Sequence, residues 1–510
     1  MVEVTSDALL LLLLLLPISI IILFSTLSIF TKNNKAFPLP PGPWKLPIIG
    51  NIHQLATFPL VHRRLADLAR RHGPVMHLQL GETSNVVVSS PESAKEFLKT
   101  HDHNFASRPY MPSAHTIFYD SRDIAFAPEG DYWRRMRKIC TVELLSERRV
   151  RSLRPSREEE VAKLVRFIRE TTEEEGGGMV NLSKLVISAG NAMTSRAAFG
   201  RIRKLEESFI PVLHRILKAL GGFSVGDVFP SHKWLRVAIG TERHLRQLHE
   251  EADAILQEII DEHVSRGRRD DDDDPDLVDV LLGCTDNHLE IKAVILIYIY
   301  THVLQDVFLA GADTSPYTVE WAMSELMRNP NKMAEAQKEV RDMFDKRGKV
   351  VDATSLDELQ YLTLIIKETL RLHTPTPLLI PREARETVVI SGYQVPAKTR
   401  VIVNSWAIGR NPEHWTQPDQ FIPERFLHTS VDYKGYDFQY IPFGAGRRMC
   451  PGLHYGIATV RILLVNLLYH FDWKLPNKMK PEDLDMDEES GGTVARKNNL
   501  HLIPIPYHAP

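Results

Sequence analysis

The stretch from Ala8 to Phe30, ALLLLLLLLPISIIILFSTLSIF, carries no charge, and its only polar residues are serine and threonine. A run of about twenty apolar residues crosses a hydrocarbon layer of roughly 30 Å as a helix. It divides the chain before any other feature does, because whatever the remaining residues build must fold on one side of a membrane. A cleaved signal peptide is the competing reading. Its apolar core is shorter, about 7–15 residues, and ends at an A-x-A-like site; no such site is seen here. Glu3 and Asp7 precede the run, and Lys32, Lys35 and Lys45 follow it. The positive-inside bias then leaves the C-terminal bulk in the cytosol. The expected organisation is a membrane anchor over 1–30, a proline-rich hinge over 31–51 and one large domain over 52–510, with no long Gly/Ser- or Pro-rich linker dividing it.

Composition narrows function mainly by exclusion. The 510 residues carry a formal charge of −3, which gives no support for a nucleic-acid partner. The three cysteines, Cys140, Cys284 and Cys450, are odd in number and too sparse for a disulfide framework. They suit a reducing compartment. An N-L-S sequon at Asn181 would not meet the glycosylation machinery in a cytosolic domain.

Behind the apolar run, FPLPPGPWKLPIIGN is rich in proline and predicts a stiff, extended lead-in. VMHLQLGETSNVVVSS alternates apolar residues on either side of Gly81-Glu82 and reads as a hairpin. SPESAKEFLKTH begins with a serine cap. Amphipathic helical segments fill Val161 to Glu262, broken at EEEGGG and ended at RGRRDDDDDPD. The aspartate run lacks the alternation of a calcium loop and reads as a solvated turn. Helices return through TVEWAMSELMRNP and LQYLTLIIKETLRLH, and short strands follow in TVVISGYQVPAKTRVIVN. The fold class is mainly α with small β-sheets.

Three stretches bear on chemistry. In KETLRLH, Glu368 and Arg371 lie three apart on one helix face; Arg425 in FIPERF could complete a cluster, which if buried needs full mutual pairing. In DVFLAGADTSPYTVEW, the small residues from Ala310 to Ser315 interrupt a bulky apolar helix. They would widen a groove beside a hydroxyl and a carboxylate, although close helix packing also explains the small residues and, taken alone, is the preferred reading. In PFGAGRRMCPG, Gly444 and Gly446 permit turns closed to other residues. Pro451 suits the first position of the helix that follows, which would put Cys450 at its positive end. A buried structural thiol is the plainest account of Cys450. A nucleophile needs a positioned base, and zinc needs further ligands at short spacing; neither is evident. A thiolate bound axially to heme iron needs no second protein ligand.

The chain resembles the cytochrome P-450 family of heme-thiolate monooxygenases, specifically the membrane-anchored plant microsomal type and most of all its terpenoid-oxidising members. Four motifs agree in order: Ala310–Ser315, Glu368–Arg371, Pro423–Phe426 and Phe443–Gly452. The resemblance implies a cytochrome P-450 fold that holds heme b (iron protoporphyrin IX), with Cys450 as the iron ligand and Phe443 in its loop. Trp133, Arg137, Arg382 and Arg448 resemble the family's propionate contacts, while Arg134 and Lys138 would face solvent or an acidic electron donor. Asp313 and Thr314 would support proton delivery. Glu368, Arg371 and Arg425 would be structural. The implied partners are an NADPH–cytochrome reductase, O2 and a hydrophobic small molecule, a terpenoid first with alkaloids and phenylpropanoids open, and the chain would lie in the endoplasmic reticulum membrane as a single-pass protein. The pocket would draw on YMPSAHTIFYD, the face near Phe308 and Ala312, Pro377–Pro381 and the turn at Gly492–Val494. A reductase-independent isomerase or dehydratase, or a non-catalytic heme protein, would be the alternatives, and NADPH dependence separates them.

Two departures from the family pattern stand out. His373-Thr374-Pro375 replaces a usual His-Pro-Pro. The residues from Leu296 to Leu304 look inserted, and an insertion of that length shifts a helix by about two and a half turns. It would loop out, change the helical register or mark a mis-spliced segment.

Overall fold

Prolines at 38, 40, 41, 43 and 47 keep the lead-in out of helix in the computed structural model. The structure describes residues 37–173, 178–200, 212, 215–216, 225–266, 275–303, 314–346, 356, 358–490 and 493–508. The expected anchor and Asp313 lie outside these residues, as do Phe308, Ala312 and Gly492. The lead-in runs along the first strand: His77 donates its backbone N–H to the Pro41 carbonyl at 2.8 Å, and Gln79 donates to Asn51 Oδ1 at 2.8 Å.

Strands β1 (Val75–Leu80) and β2 (Thr83–Val88) form the predicted hairpin, in register from Val75↔Val88 to Leu80↔Thr83. Ser90 caps the helix after it by accepting the Ser93 N–H at 3.2 Å. Further on come β3 (Arg382–Glu383), β4 (Val388–Ile390), β5 (Tyr393–Val395) and β6 (Arg400–Val403). The main sheet has the order β1-β2-β6-β3, with β2 and β6 parallel; β4 and β5 make a separate antiparallel pair. Burial of β6 on both faces explains its continuous Arg-Val-Ile-Val reading.

The helices that frame the interior are α1 (Asp131–Ile139), α2 (Arg154–Glu173), α3 (Leu182–Phe199), α4 (Thr241–Arg266), α5 (His288–Val303), α6 (Thr314–Arg328), α7 (Pro330–Lys346), α8 (Gln360–Leu372) and α9 (Leu453–His470). Residues 315–327 of α6 are all buried, so this helix runs through the protein with neighbours on every side. One apolar cluster joins α6 to α2, α3, α7, α8 and α9 through residues such as Val186, Met323, Val340, Ile365 and Leu463. A second joins α1, α4 and α5 to the segment around Phe118 and Ile124. Helix α5 is unbroken through Val303. The inserted-looking residues up to 303 therefore extend it rather than loop out, while Leu304 and the connection to Thr314 lie outside the described residues.

Mainly helical content with small sheets is thus observed. Among the described residues no helix is long and apolar enough to cross a membrane.

Candidate active site

A cavity of about 290 Å³ lies where the N-termini of α6 and α9 meet the segments around 108–126, 375–382 and 442–451. The last of these presents Cys450. Gly444 and Gly446 have φ of +71° and +68°, and a Cβ on Gly446 would stand 2.3 Å from the Leu98 carbonyl oxygen. The chain can therefore turn back only with glycine there. The turn lets the Phe443 carbonyl accept the Cys450 N–H at 2.9 Å. Helix α9 begins at Leu453, two residues later than the proline signal suggested, because Pro451 and Gly452 are spent in a turn. The Gly452 N–H is nevertheless directed at the Cys450 sulfur.

Cys450 has an open surface, but it opens into the cavity, well inside the protein. Burial accordingly pushes its thiol up, while the Gly452 amide and the Arg137 guanidinium oppose the shift. Cys140 is different: it is packed in the second core cluster and driven by burial up to about 12, an inert thiol. Cys284 is exposed on the outer surface.

Four arginines reach the cavity wall: Arg108, Arg137, Arg382 and Arg448. Burial lowers the pKa of each. For Arg448 the further repulsion of Arg382 and Arg137 brings it to about 9. The carboxylates among them are Asp102, which pairs with Arg382 at 2.8 Å, and Asp123, raised by burial to about 6. Glu129 is taken by Arg134 and Arg385. Among the described residues, four cations against two acids leave two charges unmatched at this end of the cavity. Arg137 donates one bond, to the Met449 carbonyl, and its remaining N–H groups have no partner among the described residues.

Arg448 is the one of the four set on an indole. Its guanidinium donates to the carbonyls of Ala106 (2.6 Å), Ile124 (3.2 Å) and Ala127 (2.6 Å) and lies 3.9 Å from the Trp133 ring centre. Trp133, expected beside Arg137, does not form part of the cavity wall. Its Nε1–H is committed to the Ile124 carbonyl at 3.0 Å, and its ring is the platform under Arg448. Arg108 was not anticipated. It donates to the carbonyls of Ala125 (2.7 Å), Ile380 (2.7 Å) and Pro381 (2.8 Å), all distant in sequence, so no local spacing announces it.

The rest of the wall is mostly apolar: Met111, Ile124, Phe126, Leu379, Ile380, Ile457 and Val460. Thr314 and Thr318 supply hydroxyls on this face. Thr318 Oγ1 donates to the Thr314 carbonyl at 2.6 Å, and Pro316 has no N–H to offer the preceding turn. Phe443 lines the wall and is braced edge-on by Tyr433. Of the other expected pocket segments, Leu379 to Pro381 reach the cavity, whereas Val494 is buried in a strand and donates its N–H to the Pro375 carbonyl.

Beside the cavity, the Glu368 cluster is as expected. Arg371 grips Glu368 with two bonds of 2.8 Å, Arg425 reaches it at 2.9 Å, and Arg371 also donates to the carbonyls of Gly409, Pro418 and Gln420. His373 stacks on Trp321 at 4.0 Å and bonds Glu325 at 2.8 Å. Thr374, the departure beside it, donates to the Leu370 carbonyl at 2.7 Å.

A cavity with a thiol among backbone turns, an apolar wall and two unmatched positive charges fits an apolar macrocycle that carries two acids and a metal with one sulfur ligand. That is the donor set for a heme protein. The cytochrome P450 family profile matches residues 40–503. The chain is 49% identical to cytochrome P450 71D10 of Glycine max over 96% of its length and 98% of that protein. It is 47% identical to the premnaspirodiene oxygenase of Hyoscyamus muticus (96% and 98%) and 45% identical to the costunolide synthase of Lactuca sativa (96% and 98%). A zebra fish cytochrome P450 solved with progesterone shares the fold, with a TM-score of 0.71 at 22% identity, over 87% of this chain and 99% of that one. The chain belongs to the cytochrome P450 family. It is a monooxygenase, an oxidoreductase, and its prosthetic group is heme.

Proposed function

We propose that the chain oxidises a hydrophobic small molecule, a terpenoid, using O2 and electrons drawn from NADPH through a flavoprotein reductase. The observation that carries the reading is the Cys450 sulfur, turned into the cavity beneath an arginine-rich end and an apolar wall. When bound through Cys450, heme supplies iron-centred activation of O2, with electron density pushed from the thiolate. Metal coordination reverses the effect of burial, since a coordinating thiol gives up its proton outright. The Gly452 amide and Arg137 stabilise the ionised sulfur. Arg137, Arg382 and Arg448 hold the acids, with Trp133 acting through Arg448 and Phe443 shaping the loop. Met111, Phe126, Leu379, Ile380 and Ile457 exclude water and orient the substrate by contact. Thr314 holds a proton at Oγ1 and passes it into the cavity, and Asp313 supports that delivery.

The terpenoid assignment rests on the apolar wall and on the premnaspirodiene and costunolide named for two relatives. In the same proposal, residues 1–30 are an anchor, 31–51 a hinge and 52–510 a catalytic domain held at the endoplasmic reticulum membrane and facing the cytosol. Exposed Trp44, Ile48 and Ile49 on the lead-in support this reading.

The deciding measurement is the carbon monoxide difference spectrum of the reduced full chain in membranes. The expected result is the strongly red-shifted Soret band of thiolate ligation, lost in Cys450→Ser; a parent chain without the band overturns the reading. Thr314→Ala should keep the band yet consume NADPH without matching product. Unchanged coupling removes Thr314 from proton delivery.

A further inference from the structure

One carboxylate close to the arginine-rich end has no part in the reading above. Asp123 is fully buried. Its Oδ1 accepts the backbone N–H groups of Ala125 and Phe126, each at 2.7 Å, which folds residues 123–127 into a tight turn. The turn fixes the direction of three carbonyls. Ile124 O receives Trp133 Nε1 and Arg448 Nη1, Ala125 O receives Arg108 Nε, and Ala127 O receives Arg448 Nη2. Two of the four cavity arginines, and the indole beneath one of them, are thus oriented by acceptors that hang on a single side-chain oxygen. The other oxygen, Oδ2, is enclosed and has no hydrogen-bond partner among the described residues. Its free lone pairs leave only its charge to act on the arginines.

We propose that Asp123 is a positioning residue for the heme carboxylates: it shapes the acceptor turn that aims Arg108 and Arg448, and its charge tempers theirs. This rests on the heme-thiolate reading of the cavity. Removing a group that orients a metal ligand weakens metal binding by about 10–100-fold, and the same scale is expected for the group that orients these arginines. The two roles separate by substitution. Asparagine keeps an oxygen able to accept both N–H groups but loses the charge, whereas alanine loses both.

The test uses the full chain loaded with heme. The measurements are the rate of heme transfer to excess apomyoglobin and the midpoint potential. The expected result is transfer at least about ten times faster for Asp123→Ala and within about threefold of the parent for Asp123→Asn. Both variants should shift the potential upward, because removing a negative charge favours the reduced heme. An alanine variant that retains heme as well as the parent overturns the inference, as does an asparagine variant that loses it as fast as alanine. A parent chain without the thiolate band overturns the reading of the cavity and the inference with it; a parent with the band leaves the variant comparison to decide the inference alone.

Discussion

Two arginine clusters sit beside each other in this protein and obey opposite rules. In the Glu368 cluster both guanidinium groups have the same acid, and the donors left over go to the carbonyls of Gly409, Thr416, Pro418 and Gln420. Two cations share one carboxylate there, and it is their N–H donors, not their charges, that are matched from within. At the cavity wall four arginines likewise outnumber the acids, but there Arg137 keeps donors without a partner among the described residues. Each cluster also lays a guanidinium near an indole, Arg371 by Trp415 and Arg448 on Trp133. Arginine and tryptophan alone therefore do not mark a binding site. What marks it is a buried guanidinium whose donors the protein leaves unanswered: a desolvated cation without partners costs stability unless a ligand completes it.

The largest effect that would break this comparison is in the self-contained cluster. Glu368→Ala leaves Arg371 buried without its acid. Stripping one partner from a buried pair costs about 3–5 kcal/mol. The expected outcome is a lower urea midpoint for the cofactor-free chain as well as for the loaded one. A variant that loses heme but keeps its cofactor-free midpoint would show that the cluster belongs to the binding end after all.

The next effect is a pH dependence on the unmatched side. Burial holds the Asp123 carboxyl at about 6, against an ordinary 3.8. The folded chain then keeps this proton more tightly than the unfolded chain does. The contribution to stability is full below about pH 4 and is lost as pH rises through about 6. A shift of about two units is worth about 3 kcal/mol. The urea midpoint of the cofactor-free chain should fall across that window, and Asp123→Asn should flatten the fall. A parent chain flat between pH 4 and 6 would mean that the arginines already neutralise Asp123, and the excess of positive charge would be smaller than the geometry indicates.

How much of this difference was legible in the sequence depended on distance along the chain. The Glu368–Arg371 pair is spelled by one helical turn, and the 75–88 hairpin by strict alternation around Gly81-Glu82. The Cys450 loop declares itself by its glycines. Arg108 was silent because its role is made by carbonyls at 125, 380 and 381, which only the folded chain brings together. Trp133 shows the converse failure. Spacing of one turn correctly placed it on the same side of α1 as Arg137, but spacing cannot tell a wall residue from the one behind it. That depended on the Ile124 carbonyl, which captures the indole N–H. The start of α9 was misjudged by two residues because proline at a helix entrance and proline in the turn before it look alike until the backbone is seen.

The finest test contrasts two arginines on one helix. Arg137 faces the cavity, whereas Arg134, three residues earlier in α1, is exposed and paired with Glu129 and Asp131. A charge-assisted hydrogen bond is worth about 1.5–3 kcal/mol, so Arg137→Gln should speed heme loss by about 10–150-fold. The same substitution relieves repulsion on Arg448 and Arg382, so the cofactor-free urea midpoint should hold or rise slightly. Arg134→Gln should leave the heme-loss rate unchanged. If Arg137→Gln instead destabilised the cofactor-free chain, the wall would be matched from within like the Glu368 cluster. The asymmetry between the two clusters would then vanish, because an arginine that stabilises the empty protein is not waiting for a ligand.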